Sequence, residues 1–164
     1  MNPYTETYEH LLGIYAAALA AMDEPVKVGN VISLAKRFPT FKEMLAAADF
    51  PGVVLTQGGF GGSPFDEGGN NTDTVTTQIY RLEVHDDTMG ILRVNAIKWA
   101  ALKSLAAAGA TLNVGTPQRL DYIDRWRIVE GRDHMLAPNE QGMVTALAVQ
   151  IHFRHPTHDL SAGA

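Results

Sequence analysis

Apolar residues recur near the start of the chain with the rhythm of one helical face. Tyr8, Leu11, Leu12, Tyr15, Leu19 and Met22 follow i, i+3, i+4, i+7 spacing, which predicts a helix from Pro3 to Met22. Pro3 suits its first turn, where the missing N–H is not needed, and Pro25 ends the pattern. Val26, Val28, Ile32 and Leu34 then fall on alternate positions, a strand pattern interrupted by Gly29 and Asn30. Thr40, with Glu43 three residues on, forms a capping box and predicts a short helix from Thr40 to Ala48. Pro51 opens a short apolar strand, Gly52 to Gln57.

The pattern breaks at Gly58 to Thr72, which holds six glycines and only two large apolar residues, Phe60 and Phe65. Such chain is entropically costly to order, so a long, mobile loop is expected there. Loops of that length inside a compact domain are usually functional or disordered. Strand character resumes over Asp73 to His85, where Tyr80, Leu82 and Val84 alternate with Arg81 and Glu83. A second long helix is expected from Met89 to Ala108, with Ile91, Val94, Ile97, Ala101, Leu105 and Ala108 as its buried stripe. Gly109 suits the position just past its end, and Asp86 and Asp87 lie near its positive N-terminus.

Two strands close the chain. Leu120, Tyr122, Asp124, Trp126 and Ile128 alternate with Asp121, Ile123, Arg125, Arg127 and Val129. A polar hairpin loop, Gly131 to Gly142, leads to the clearest strand, in which Met143, Thr145, Leu147, Val149, Ile151 and Phe153 alternate with the residues between them. Residues 155–164 are expected to form a frayed tail. The whole chain, 1–164, reads as a single α+β domain. It has a mixed, mostly antiparallel sheet, two main helices packed on one face and a long Gly-rich loop.

Composition narrows the function classes. At 164 residues, with 46% hydrophobic and 19% charged residues, the chain can bury a core without metals or cross-links. It has no cysteine, which excludes disulfides, Cys-based zinc sites, iron–sulfur clusters and thiol nucleophiles. A formal charge of -5 argues against a dedicated nucleic-acid binder, although not against a local basic patch. The apolar run Leu11 to Met22 is shorter than the roughly 20 residues of a membrane span, and the first residues carry no basic leader. The expected setting is a soluble protein made and used in the cytoplasm.

Candidate chemistry is sparse. The Gly-rich segment lacks the Gly-Lys-Ser/Thr ending of a phosphate loop, Pro64 replaces the third glycine of a dinucleotide fingerprint, and no Lys or Arg occurs between Lys42 and Arg81. His152, His155 and His158 have the side-chain chemistry for zinc, but spacing of three puts His152 and His155 on opposite strand faces. They read as solvent-exposed histidines. His85 beside Asp86 and Asp87 lacks a G-x-S-x-G nucleophile, and Asp121 and Asp124 fall on opposite faces. Arg125 and Arg127 share a face, positioned for a carboxylate or phosphate or simply for solvent. Trp126 reads as core. Trp99, off the stripe of the second helix, is either packed under a loop or an exposed interface anchor. No catalytic constellation, cofactor site or metal site emerges; the features are those of a protein that builds contacts with other copies or other proteins.

The order of segments resembles a known family. DFPGVVLTQGG, the Gly-rich insertion, YRLEVHDD, the helix MGILRVNAIKWAALKSLAAAG and the closing strand ALAVQIHFRH are together similar to tail terminator, or tail completion, proteins of long-tailed bacteriophages and related tail-like particles. The likeness spans Tyr8 to Phe153 and rests on element order, size and texture rather than an invariant motif. It implies a homohexameric ring at the head-proximal end of the virion tail. Such a ring caps the tube, stops its polymerisation and provides the head-joining surface. The implied partners are other copies of the chain, the tail tube protein and a head–tail connector or neck protein. DNA would pass through the lumen without specific binding, and neither enzymatic activity nor a membrane is implied. By this analogy, Gly58, Phe60, Phe65, Asp66 and Glu67 in the loop, and Arg125, Arg127, Arg132 and His134 around the hairpin, are candidate assembly contacts. The alternatives are another head–tail connector or head completion protein, or a small α+β ligand-binding protein or enzyme.

Overall fold

The computed structural model describes residues 3–30, 37, 43, 52–60, 73–84, 91–114, 123–129 and 144–156. Their elements are α1 (Pro3–Ala20), β1 (Val28–Asn30), β2 (Val53–Phe60), β3 (Asp73–Val84), α2 (Ile91–Val114), β4 (Ile123–Val129) and β5 (Val144–Pro156). The five strands form one sheet in the order β1-β2-β3-β5-β4. Only β1 and β2 run parallel; the other neighbours are antiparallel. The fold is α+β, as the sequence pattern predicts.

One core joins both helices to one face of the sheet. Tyr8, Leu11, Tyr15 and Leu19 of α1 and Val94, Ile97, Ala101 and Leu105 of α2 are buried, the stripes that the helical spacing picks out. They meet Val53, Leu55, Tyr80, Leu82, Val149, Ile151 and Phe153, which recur at every second strand position. Tyrosine hydroxyls fasten α1 to this sheet. Tyr8 donates to the Leu55 carbonyl at 2.6 Å, Tyr80 donates to the Tyr4 carbonyl at 3.1 Å, and the Tyr4 and Thr76 hydroxyls are 2.8 Å apart. Burial pushes the Tyr15 hydroxyl pKa above its ordinary value; for Tyr80, burial and then the neighbouring Tyr4 do the same. Gly52 enters β2 at φ 76°, a left-handed conformation that favours glycine.

Several boundaries differ from the sequence pattern. Gly58, Gly59 and Phe60, assigned above to the loop, are the last residues of β2, paired with Ile79, Gln78 and Thr77. The ladder to β3 supplies backbone hydrogen bonds that offset the entropy of ordering glycine. Gly109 does not end α2, which continues to Val114. A glycine inside a helix costs about 1 kcal/mol relative to Ala, too little to stop one whose next five residues contain no proline. His155 and Pro156 belong to β5, held by Thr74 and Asp73, so the tail does not fray at 155. Helix α1 ends at Ala20 rather than Met22.

The β4 alternation also changes. Ile123 pairs with Phe153 and Arg125 with the adjacent His152, so Asp124 is an extra residue in the ladder. This bulge turns Ile123 into the core, where it is 8% exposed, instead of leaving it on the face of Arg125 and Arg127. Trp126 packs against the core as expected. Of the expected helix Thr40 to Ala48, only Glu43 lies within the described residues, and it is helical. The loop beyond Phe60, with Phe65, Asp66 and Glu67, and the hairpin loop, with Arg132 and His134, lie outside the described residues.

Candidate functional site: the outward strip of the sheet

The strand register collects four of the sequence-selected residues into two adjacent rows. One row crosses the sheet as Gly58 (β2), Ile79 (β3), Gln150 (β5) and Arg127 (β4). The next runs Phe60, Thr77, His152 and Arg125. Both rows have the parity opposite to Leu55, Tyr80 and Val149, so they belong to the face turned away from the two helices. Strands are about 4.8 Å apart, which puts some 14 Å between the β2 and β4 ends of each row. These residues therefore make a strip rather than a cradle around one small molecule.

Polar contacts lace the strip together. Arg127 donates from Nε to Gln150 Oε1 at 2.6 Å, and Thr77 Oγ1 lies 3.1 Å from His152 Nδ1. Such cross-strand pairs fix side-chain direction as well as register. Arg127 is exposed, while Gln150 and His152 are half-buried. Arg81 and Arg154 are half-buried on the same face, one register step from each row. The strip is thus locally cationic although the chain as a whole is acidic. Towards its other end this face buries Val54, Glu83 and Ala148.

Gly58 has a specific steric role. A Cβ placed there would lie 2.9 Å from Arg81 Nη1, so the bare glycine gives the guanidinium room to lie across β2. The obstructing atom is the tip of a flexible side chain, so Gly58→Ala is expected to leave thermal stability within about 1 kcal/mol, since reduced unfolded-state entropy offsets the contact. The Arg81 Nε–H resonance should shift strongly. A thermal midpoint lowered by more than about 8 °C would mean that the backbone, not the guanidinium, has to move.

The helical layer presents a second surface. Leu92 is 82% exposed and Trp99 60% exposed, so Trp99 is not packed under a loop. They border a groove of about 870 Å³ between the end of α1 and the first half of α2, with Met22 and Ala96 also in its lining. Lys103 Nζ stands 5.7 Å from the Trp99 ring centroid, and Arg93 Nη1 lies 3.8 Å from Glu24 Oε2. Leu92 escapes the sequence reading, yet the signal is there. It precedes Trp99 by seven residues, which puts both large side chains on one helical face away from the buried stripe.

Among the described residues, no group of three His, Asp or Glu is placed to hold a metal ion, and no helix is long and apolar enough to cross a membrane. His152 and His155 have opposite strand parity; His85, Asp121 and His158 lie outside the described residues. No family model matches the chain, and no curated protein matches it significantly.

Proposed function

We propose that this chain is a structural protein of a tailed virus particle, a tail terminator that assembles as a ring on the tail tube, limits its growth and forms the surface to which the head joins. The observation that supports this reading is the outward strip, in which the register sets Gly58 and Phe60 of β2 in the same two rows as Arg127 and Arg125 of β4. A ring requires each copy to present a surface to a different surface of the next copy, repeated until the circle closes. A broad, polar face held rigid by four strands suits that task, because little side-chain entropy remains to be lost on contact.

Charge gives the strip a direction in the ring. A cationic face turned into the lumen would hold the DNA backbone through phosphate contacts and retard its passage. The chain as a whole carries a formal charge of -5, and an acidic lumen wall would let DNA slide past. On this proposal, the strip with Arg127 faces a neighbouring copy or the tube protein rather than the channel.

Arg127→Glu tests the reading. Because Arg127 is exposed, its reversal should change folding stability by no more than about 0.5 kcal/mol. It should weaken ring assembly, or ring attachment to tubes, at least about tenfold, since like charges across a contact are costly. Electron microscopy of purified protein mixed with polymerising tube protein gives the readout. Tubes capped equally by the variant and the parent would remove the strip from the assembly surface.

A further inference from the structure

We propose that the exposed face of α2 pairs two copies of this chain about a two-fold axis through Ala96. The pairing rests on the helical surface alone and does not depend on the tail-end reading. Leu92, Ala96 and Trp99 follow i, i+4, i+7 spacing and all three are exposed. Ala96 lies about 6 Å from Leu92 and about 4.5 Å from Trp99 along the axis, at 1.5 Å per residue. An antiparallel copy crossing at Ala96 therefore sets each Trp99 against the Leu92–Arg93 end of the other helix. The small residue at the centre lets the two backbones approach.

Charge argues for a second copy as the occupant. Helix α2 carries Arg93, Lys98 and Lys103 and no acidic residue. The facing wall of the groove, at the end of α1, carries Asp23 and Glu24, and Glu24 already reaches Arg93. The rim is thus basic on one wall and acidic at one corner. Turning it by 180° about Ala96 carries Lys103 of one copy towards the Asp23–Glu24 corner of the other, and the same contact repeats on the opposite side. A surface that complements itself in this way is isologous. The large apolar pair at its centre has the aromatic and aliphatic character of interface hot spots.

The absence of cysteine makes the test direct. Ala96 is exposed, so Ala96→Cys should fold like the parent. In the two-fold pair, position 96 of each copy approaches its own equivalent within the roughly 3.5–4.5 Å Cβ separation of a disulfide, and mild oxidation of the variant should give a covalent dimer in high yield. Ala106→Cys, exposed on the same helix ten residues on, should stay uncross-linked and controls for random collision. Trp99→Ala should raise the dimer dissociation constant in sedimentation by roughly thirtyfold or more. A monomer at every concentration would overturn the pairing. So would a ring in which Ala96→Cys does not cross-link, because a head-to-tail contact places two different surfaces together; that outcome would leave the tail-end reading intact. Binding of the tube protein to this face, blocked by Trp99→Ala with no self-cross-link at position 96, would likewise overturn it.

Discussion

Phe153→Ala should lower folding stability by about 3–5 kcal/mol, the range for emptying a fully buried aromatic site. Phe153 is 0% exposed and lies where three elements meet. It stands opposite Thr76 of β3 and Ile123 of β4, and the Tyr4 ring of α1 contacts it edge-on at 4.9 Å. Sheet backbone on both sides and the helix above limit how far the site can collapse, which keeps the cost towards the upper end. A domain stable by about 5–15 kcal/mol loses much of its margin this way. Urea unfolding followed by tryptophan fluorescence should show the midpoint falling by roughly 2 M with an unchanged slope. A fall of less than about 0.5 M would show that this corner of the core repacks freely.

The second large effect is expected from Tyr8→Phe, which removes one oxygen and leaves the ring. Asn30 of β1 pairs with Leu55, and the buried Tyr8 hydroxyl donates to the Leu55 carbonyl at 2.6 Å. Without it, a buried carbonyl loses this donor, at a cost of about 1–3 kcal/mol. Tyr80→Phe should cost only about 1 kcal/mol. Its acceptor, the Tyr4 carbonyl, lies in the first turn of α1 and can still accept the helical bond from four residues on. Paired denaturation curves check the ranking. Equal losses, or a larger loss for Tyr80→Phe, would mean that the Leu55 carbonyl finds another donor.

Much of the fold is legible in the sequence because burial follows period. The stripe Val94, Ile97, Ala101, Leu105 and the alternation Leu147, Val149, Ile151, Phe153 both mark the core. The pattern is poorest where backbone pairing overrides composition. Gly58 and Gly59 read as loop until β3 is known to lie alongside, and Gly109 reads as a helix end although α2 carries on. The bulge at Asp124 cannot be seen from alternation, because it is defined by the partner: one residue of β5 facing two of β4. Strict alternation consequently puts Ile123 beside Arg125 on the wrong face.

The candidate surface is legible in part. Arg125 and Arg127 share a face in the sequence and in the ladder, and Gly58 and Phe60 stand out by composition. Their common rows depend on β5 lying between β3 and β4, a non-local pairing that no local pattern encodes. Thr77, Gln150 and His152 join the strip for the same reason.

Tube length measured by electron microscopy against a concentration series of this protein, with the polymerising tube protein held constant, decides whether the chain terminates tubes. A terminator gives tubes that shorten as its concentration rises, each bearing one ring at one end. Tube lengths that stay unchanged at every concentration, with no ring on either end, would contradict it.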